Sequence, residues 1–307
     1  MGQAKRNRDR RASEPCKCGS GKPAGVCCFD GTSYTKQPAR IVLSNRSNDL
    51  SIDGCYLRHT RGCGGQLSKE HLISESVLNV LNQGDLFMLS GAAWQAAGAS
   101  MKIGLSALTA KCLCERHNNT CLSALDTAAG RFFAAIKSTA LNDSAPAISI
   151  LISGHDIERW MLKTMFALSL GKSLARDKQL IPANFYSGID EAQLLSNPMA
   201  WPVGSGLYSM QQVDEIVTRK DQLDLAALTI PGKDELVGLR FSIQGLAFDC
   251  LAVPPTNLSS GKPHVLHRPG RLTFRHGSIV NEVLISWVDG RSHQDVGFDF
   301  VGTVPAP

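Results

Sequence analysis

Apolar residues recur along this chain at helical spacing in its first half and at strand spacing in its second. Between residues 120 and 137, Leu122, Leu125, Ala129, Phe132, Phe133 and Ile136 fall three or four apart, which predicts an amphipathic helix. A shorter helix is expected over residues 74–81, with Ser74 as cap and Val77, Leu78 and Leu81 on one face. Residues 155–176 repeat the pattern. Ile157, Trp160, Met161, Met165, Leu168 and Leu170 form the apolar stripe, which reads as core, and Glu158, Arg159 and Lys163 are polar. From residue 206 the period shortens: 206–212, 238–251, 272–275, 279–287 and 296–301 read as strands between Gly-, Pro- and Asn-containing breaks. Strands in succession predict an antiparallel sheet with the 155–176 helix on one face. Residues 31–53 read as linker, and 84–104 as an Ala- and Gly-rich loop placed to cover a site or reach a groove.

The class expected is α+β. With 307 residues, 43% of them hydrophobic and 19% charged, the chain can bury an ordinary core and suggests two domains. No apolar run is long enough to span a bilayer, and the basic first residues are not followed by an apolar segment of a secretory leader. A soluble, cytoplasmic protein is the expectation. No phosphate-binding loop, internal repeat or Ser-His-Asp grouping is present.

Charge divides the chain unevenly. Residues 1–11, a basic arm, hold five bases and one acid, a net of +4; residues 55–137 hold eight and five, +3; residues 138–307 hold fourteen and seventeen, −3. A basic first half suits contact with phosphates, whereas a short basic arm by itself also reads as a solvated terminus.

Ten cysteines sharpen the picture, because nine of them fall in short-spaced groups. In a cytosolic chain such groups bind metal more often than they form disulfides. Residues 12–30 hold Cys16-x-Cys18, then Cys27-Cys28, around a Gly19-Ser20-Gly21 turn. Residues 54–137 hold Cys55, Cys63, Cys114 and His117, four ligands suited to a closed tetrahedral zinc site. His59 is an alternative to Cys63. Cys112 reads as a buried thiol or alternate ligand, and Cys121 as a packing residue. Beside these stand Glu70, His71, Asn118 and Asn119, which suit an oxygen-liganded cation and a general base. Asp126 reads as a solvated or helix-capping acid.

Two resemblances attach to these residues. The first cluster is similar to the SEC-C motif, a small zinc module; this implies structural Zn2+ on Cys16, Cys18, Cys27 and Cys28, and a possible docking tag for a protein partner or nucleic acid. The second region resembles the HNH endonuclease family of treble-clef, ββα-metal nucleases. There Cys55 and Cys63 form the first knuckle, Glu70-His71 the acid-His pair, and Cys114-x-x-His117-Asn118 the second knuckle. The resemblance implies two strands and a helix around the metal, and hydrolysis of phosphodiester bonds, DNA more than RNA. It makes His71 the base that activates water. Glu70 and Asn118 would hold a catalytic Mg2+ or Mn2+, Zn2+ at the knuckles would be structural, and the role would be defence against foreign DNA. The chain departs from the family in a first knuckle with seven intervening residues and in the want of a middle Asn supporting His71. A non-catalytic zinc protein that binds nucleic acid or a protein partner is the rival expectation. Residues 138–307 form a helix and β-rich region of no assigned role.

Overall fold

The computed structural model describes residues 2–45, 49–81, 86–96, 98–104, 107–176, 179–180, 185–210, 215–219, 222–255, 266–291 and 296–303. Along the chain run α1 (Gly2–Ser13), β1 (Leu67–His71), α2 (Glu75–Leu81), β2 (Leu86–Ser90), β3 (Ser100–Gly104), β4 (Thr109–Cys114), α3 (Ser123–Leu141), β5 (Ser149–Ser153) and α4 (Gly154–Leu170). There follow β6 (Ala175–Arg176), β7 (Gln179–Leu180), α5 (Glu191–Ser196), β8 (Gly206–Ser209), β9 (Glu215–Arg219), β10 (Leu223–Thr229), β11 (Leu236–Ile243) and β12 (Leu246–Leu251). The last strands are β13 (Leu266–His267), β14 (Arg271–His276), β15 (Ile279–Ser286) and β16 (Val296–Thr303). The class is mixed α+β, with several sheets and few helices. Among the described residues no helix is long and apolar enough to cross a membrane.

The sheets differ from the expected antiparallel one. One has seven strands in the order β13-β8-β12-β11-β10-β2-β3, and another has five in the order β5-β15-β14-β16-β9. The seven-stranded sheet takes in β2 and β3, which pair antiparallel within the stretch read as a loop over 84–104; Gly84, Asp85 and Ala97 lie outside the described residues, as do 211–212 of the expected 206–212 strand. Parallel pairs join β10 to β2, β15 to β5, and β16 to both β14 and β9. The pairings of β2, β5 and β9 link segments far apart in sequence, which local alternation cannot reveal.

Helices α3 and α4 pack on each other and touch both large sheets. Phe132 and Phe133 of α3, Trp160 of α4, Phe241 of β11 and Phe248 of β12 meet with ring centroids 5.0–6.5 Å apart, several edge to face. Each ring buried there is worth roughly 1.5–3 kcal/mol of transfer free energy. One apolar core runs from Ile41 to Val296.

Helix α4 is buried along nearly its whole length. Its apolar stripe lies in the core as expected, but its polar residues do not face water: Glu158, Arg159 and Lys163 are buried as well. Each is paired. Arg268 holds Glu158 through two contacts of 2.8 Å, Arg159 meets Asp156 at 2.5 Å, and Lys163 reaches two acids described below. Burying such charges is tolerable only with partners this close.

The basic arm is helical. All five of its bases lie on α1, which buries no residue, and Arg10 and Arg11 sit in the last turn where the helix dipole favours cations. Ala12, in the last turn of α1, packs against the first cysteine cluster.

Candidate metal centres and the acid-lined pocket

The first cluster is shaped by backbone turns. Cys16 N–H donates to Lys22 O, Gly19 N–H to Cys16 O, and the N–H groups of Cys27, Cys28 and Phe29 converge on Ala24 O. Cys18 and Cys28 Sγ each lie 3.5 Å from Cys27 Sγ, and all four sulfurs fall within 4.8 Å of one another. Burial works against ionising Cys18, but the Ser20 hydroxyl and the neighbouring thiols bring it down to about 6. A thiolate is thus available for a metal at neutral pH. The module is seated on the rest of the chain. Arg131 of α3 donates to Cys18 O, Leu151 N–H donates to Lys17 O at 3.0 Å, and Lys17 Nζ donates to Ser149 Oγ at 2.8 Å. Its inner face is therefore taken by this protein itself.

The second cluster hangs on the antiparallel pair β1–β4, in which Leu67 faces Cys114 and Glu70 faces Ala110. A wide turn, Arg116–Cys121, follows β4, and Leu122 N–H donates back to His117 O across it. Helix α3 therefore begins at Ser123, three residues later than its apolar spacing suggested. Cys55, Cys63 and Cys114 Sγ lie 3.4, 3.9 and 3.3 Å from His117 Nδ1. Metal–ligand bonds of about 2.0–2.3 Å in a tetrahedron imply ligand separations of about 3.5–3.8 Å, so the four atoms surround a zinc-sized centre. Cys63 completes this set; His59 lies outside it, 3.7 Å from Glu191. Cys112 and Cys121 also stay outside, approaching Glu70 and Val42 O respectively.

The surroundings hold the ligands ready. His117 Nε2 lies 3.1 Å from Leu43 O, which leaves Nδ1 free for the metal. Burial depresses the His117 pKa and favours the neutral ring a metal needs. For Cys114, burial is outweighed by the N–H groups of His117 and Gly64, and the thiol is held below its ordinary value. Arg116 Nη1 donates to Leu43 O at 2.6 Å and also to Gly62 O, which binds the 41–45 stretch to the knuckle. A β-carbon on Gly62 would stand 2.3 Å from Leu43 O, so only glycine fits.

Beside this centre lies a cavity of about 460 Å³. Glu70 and His71 from the end of β1, Asn118 and Asn119 from the wide turn, Ser74 before α2, Asp126 from α3 and Lys163 from α4 line it. His71 and Asn118, remote in sequence, thus share one depression. Asn118 donates from Nδ2 to Ser68 Oγ at 3.1 Å. The imidazole of His71 is half-buried, and no side chain among the described residues bonds to it.

The far wall of the cavity holds residues that sequence reasoning missed. Lys163 Nζ stands 2.8 Å from Glu70 Oε1, 2.7 Å from Asp126 Oδ2 and 3.5 Å from Asn118 Oδ1. The Glu70 contact is a close ion pair without an aligned hydrogen bond. Asp126 is therefore a pocket residue and not a solvated or capping acid. Ser74 stands at the cap position of α2, its carbonyl receiving the N–H groups of Val77 and Leu78, but its hydroxyl turns to the pocket, bonding Asp126 and accepting from Trp160 Nε1 at 2.6 Å. Two acids share one ammonium here. Burial alone would lower the Lys163 pKa, but Glu70 and Asp126 outweigh it and raise it. Burial raises the Glu70 pKa, an effect Lys163 opposes and Asp126 reinforces. Lys163 gave one signal in the sequence, a lysine among Met161, Leu162, Met165 and Phe166.

No protein-family model matches the chain, and neither does any curated protein or solved structure. Both Cys/His clusters could hold zinc.

Proposed function

We propose that the protein is an HNH-like endonuclease that hydrolyses phosphodiester bonds of DNA, with structural Zn2+ at both cysteine clusters. The observation that supports it is the meeting of His71, Glu70 and Asn118 around one cavity beside the Cys55–Cys63–Cys114–His117 cluster. Zinc at that cluster would fix the wide turn against β1 and so set Asn118 opposite His71. In the reaction His71 takes a proton from water and the water oxygen bonds to phosphorus. The bond from phosphorus to the leaving sugar oxygen breaks, and that oxygen gains a proton. Exposed bases on α1, together with Lys69 at the cavity, suit the backbone of a duplex. Action against foreign DNA follows from the resemblance alone.

The Mg2+ or Mn2+ implied at Glu70 and Asn118 fits these residues in kind but not in arrangement. Carboxylate and amide oxygens suit a hard cation, yet the Lys163 ammonium already reaches both of them. That contact favours the rival reading, a zinc protein that binds nucleic acid or a protein partner without cutting. Plasmid incubated with zinc-loaded protein, with and without Mg2+ or Mn2+, beside a His71→Ala variant, decides between them. Cleavage lost in the variant supports the nuclease. A gel shift without cleavage supports the binding protein, and equal nicking by both preparations indicates a contaminant.

A further inference from the structure

We propose that the ammonium of Lys163 is the resident cation of this pocket, seated between Glu70, Asp126 and Asn118 where a divalent ion would otherwise bind. The contacts of 2.8, 2.7 and 3.5 Å come from three separate elements, β1, α3 and the turn after β4. They are oxygen contacts of the kind a hard cation collects. The lysine is not a surface residue folded into a gap. It projects from a helix that is buried along almost its whole length, its side chain is only 5% exposed, and it nonetheless lines the cavity.

Two carboxylates with no cation between them would repel each other at this range and would take up a metal or a proton. With Lys163 present, both are paired and a divalent ion must displace an ammonium tethered to the core. The pocket therefore holds its own cation whether or not Mg2+ is present, with the ammonium taken up by the two carboxylates. This exclusion of a divalent ion does not rest on the phosphodiester reading.

Mn2+ titration followed by the electron paramagnetic resonance of the free ion tests the exclusion without any activity. Mn2+ does not compete well for thiolate sites, so zinc-loaded protein reports the oxygen pocket. Wild type is expected to take up no equivalent of Mn2+ with a dissociation constant below about 1 mM, the weak end of oxygen-ligand sites. Lys163→Met is expected to bind one equivalent at least tenfold more tightly, and Lys163→Met with Glu70→Gln to lose it. One tightly bound equivalent in wild type, weakened by Glu70→Gln, overturns the proposal whether or not the lysine variant folds. A folded Lys163→Met that gains no site overturns it too. If DNA cleavage is absent while these metal results hold, the phosphodiester reading fails alone.

Discussion

Lys163 and Asp126 meet at 2.7 Å across the interface between α4 and α3, with Glu70 on the other side of the same ammonium. This contact ties the pocket to the core, because α3 and α4 also carry the aromatic cluster.

Removing the ammonium strands two acids. Lys163→Met is expected to lower stability by about 3–5 kcal/mol near neutral pH, the usual cost of leaving a buried charge unpaired. The gap to wild type should narrow as pH falls, because Glu70, whose pKa burial already raises, then takes up a proton. It should also narrow at high pH. The Lys163 pKa is raised above 10.5, so its contribution is complete below that value and is lost as pH rises through the folded-state one. Urea midpoints across pH check both limbs.

Metal content follows the two clusters. Purified protein is expected to carry two zinc ions per chain by elemental analysis, Cys114→Ala and Cys18→Ala one each. Chelation should be slower at the second cluster, whose four ligands are all buried, than at the first, where Cys27 is exposed.

Gly62→Ala probes the approach of residues 41–45 to the knuckle. A methyl 2.3 Å from Leu43 O must push the backbone away, which is expected to cost about 1–3 kcal/mol and to weaken zinc retention. Thermal melts and zinc content read both effects.

Acid stability has a separate source. Asp289 pairs with Arg268 Nη1 at 2.6 Å. Burial would raise its pKa, but the Arg291 N–H and the Arg268 guanidinium hold it below the ordinary 3.8. A depressed acid contributes stability above its unfolded value and loses it as pH falls through the folded one. Asp289→Asn should therefore be less stable than wild type at neutral pH, with the difference shrinking below about pH 4 in urea denaturation.

The parts legible in the sequence were those governed by local spacing. Cysteine intervals located both clusters, and three-to-four periodicity located the bodies of α3 and α4. What escaped depends on distant partners. Glu158, Arg159 and Lys163 make the pattern of a solvated face; only the acids at 70, 126 and 156 and the guanidinium at 268 show that this face is buried. Asp126 looked like any acid near a helix start until Lys163 stood opposite. The stretch over 86–104 is rich in Gly, Ala and Ser, yet its ends pair as β2 and β3, and β10 offers β2 a parallel edge. In the same way, the parallel partners of β5 and β9 lie more than a hundred and about eighty positions onward.

The most direct measurement is the single-turnover cleavage rate of end-labelled duplex DNA by zinc-loaded wild type and His71→Ala, with equal zinc content and melting temperature verified. Loss of a general base should slow cleavage by about 100-fold or more. Equal rates in the two proteins, or no cleavage by wild type with any divalent ion or with none, would contradict a nuclease built around His71.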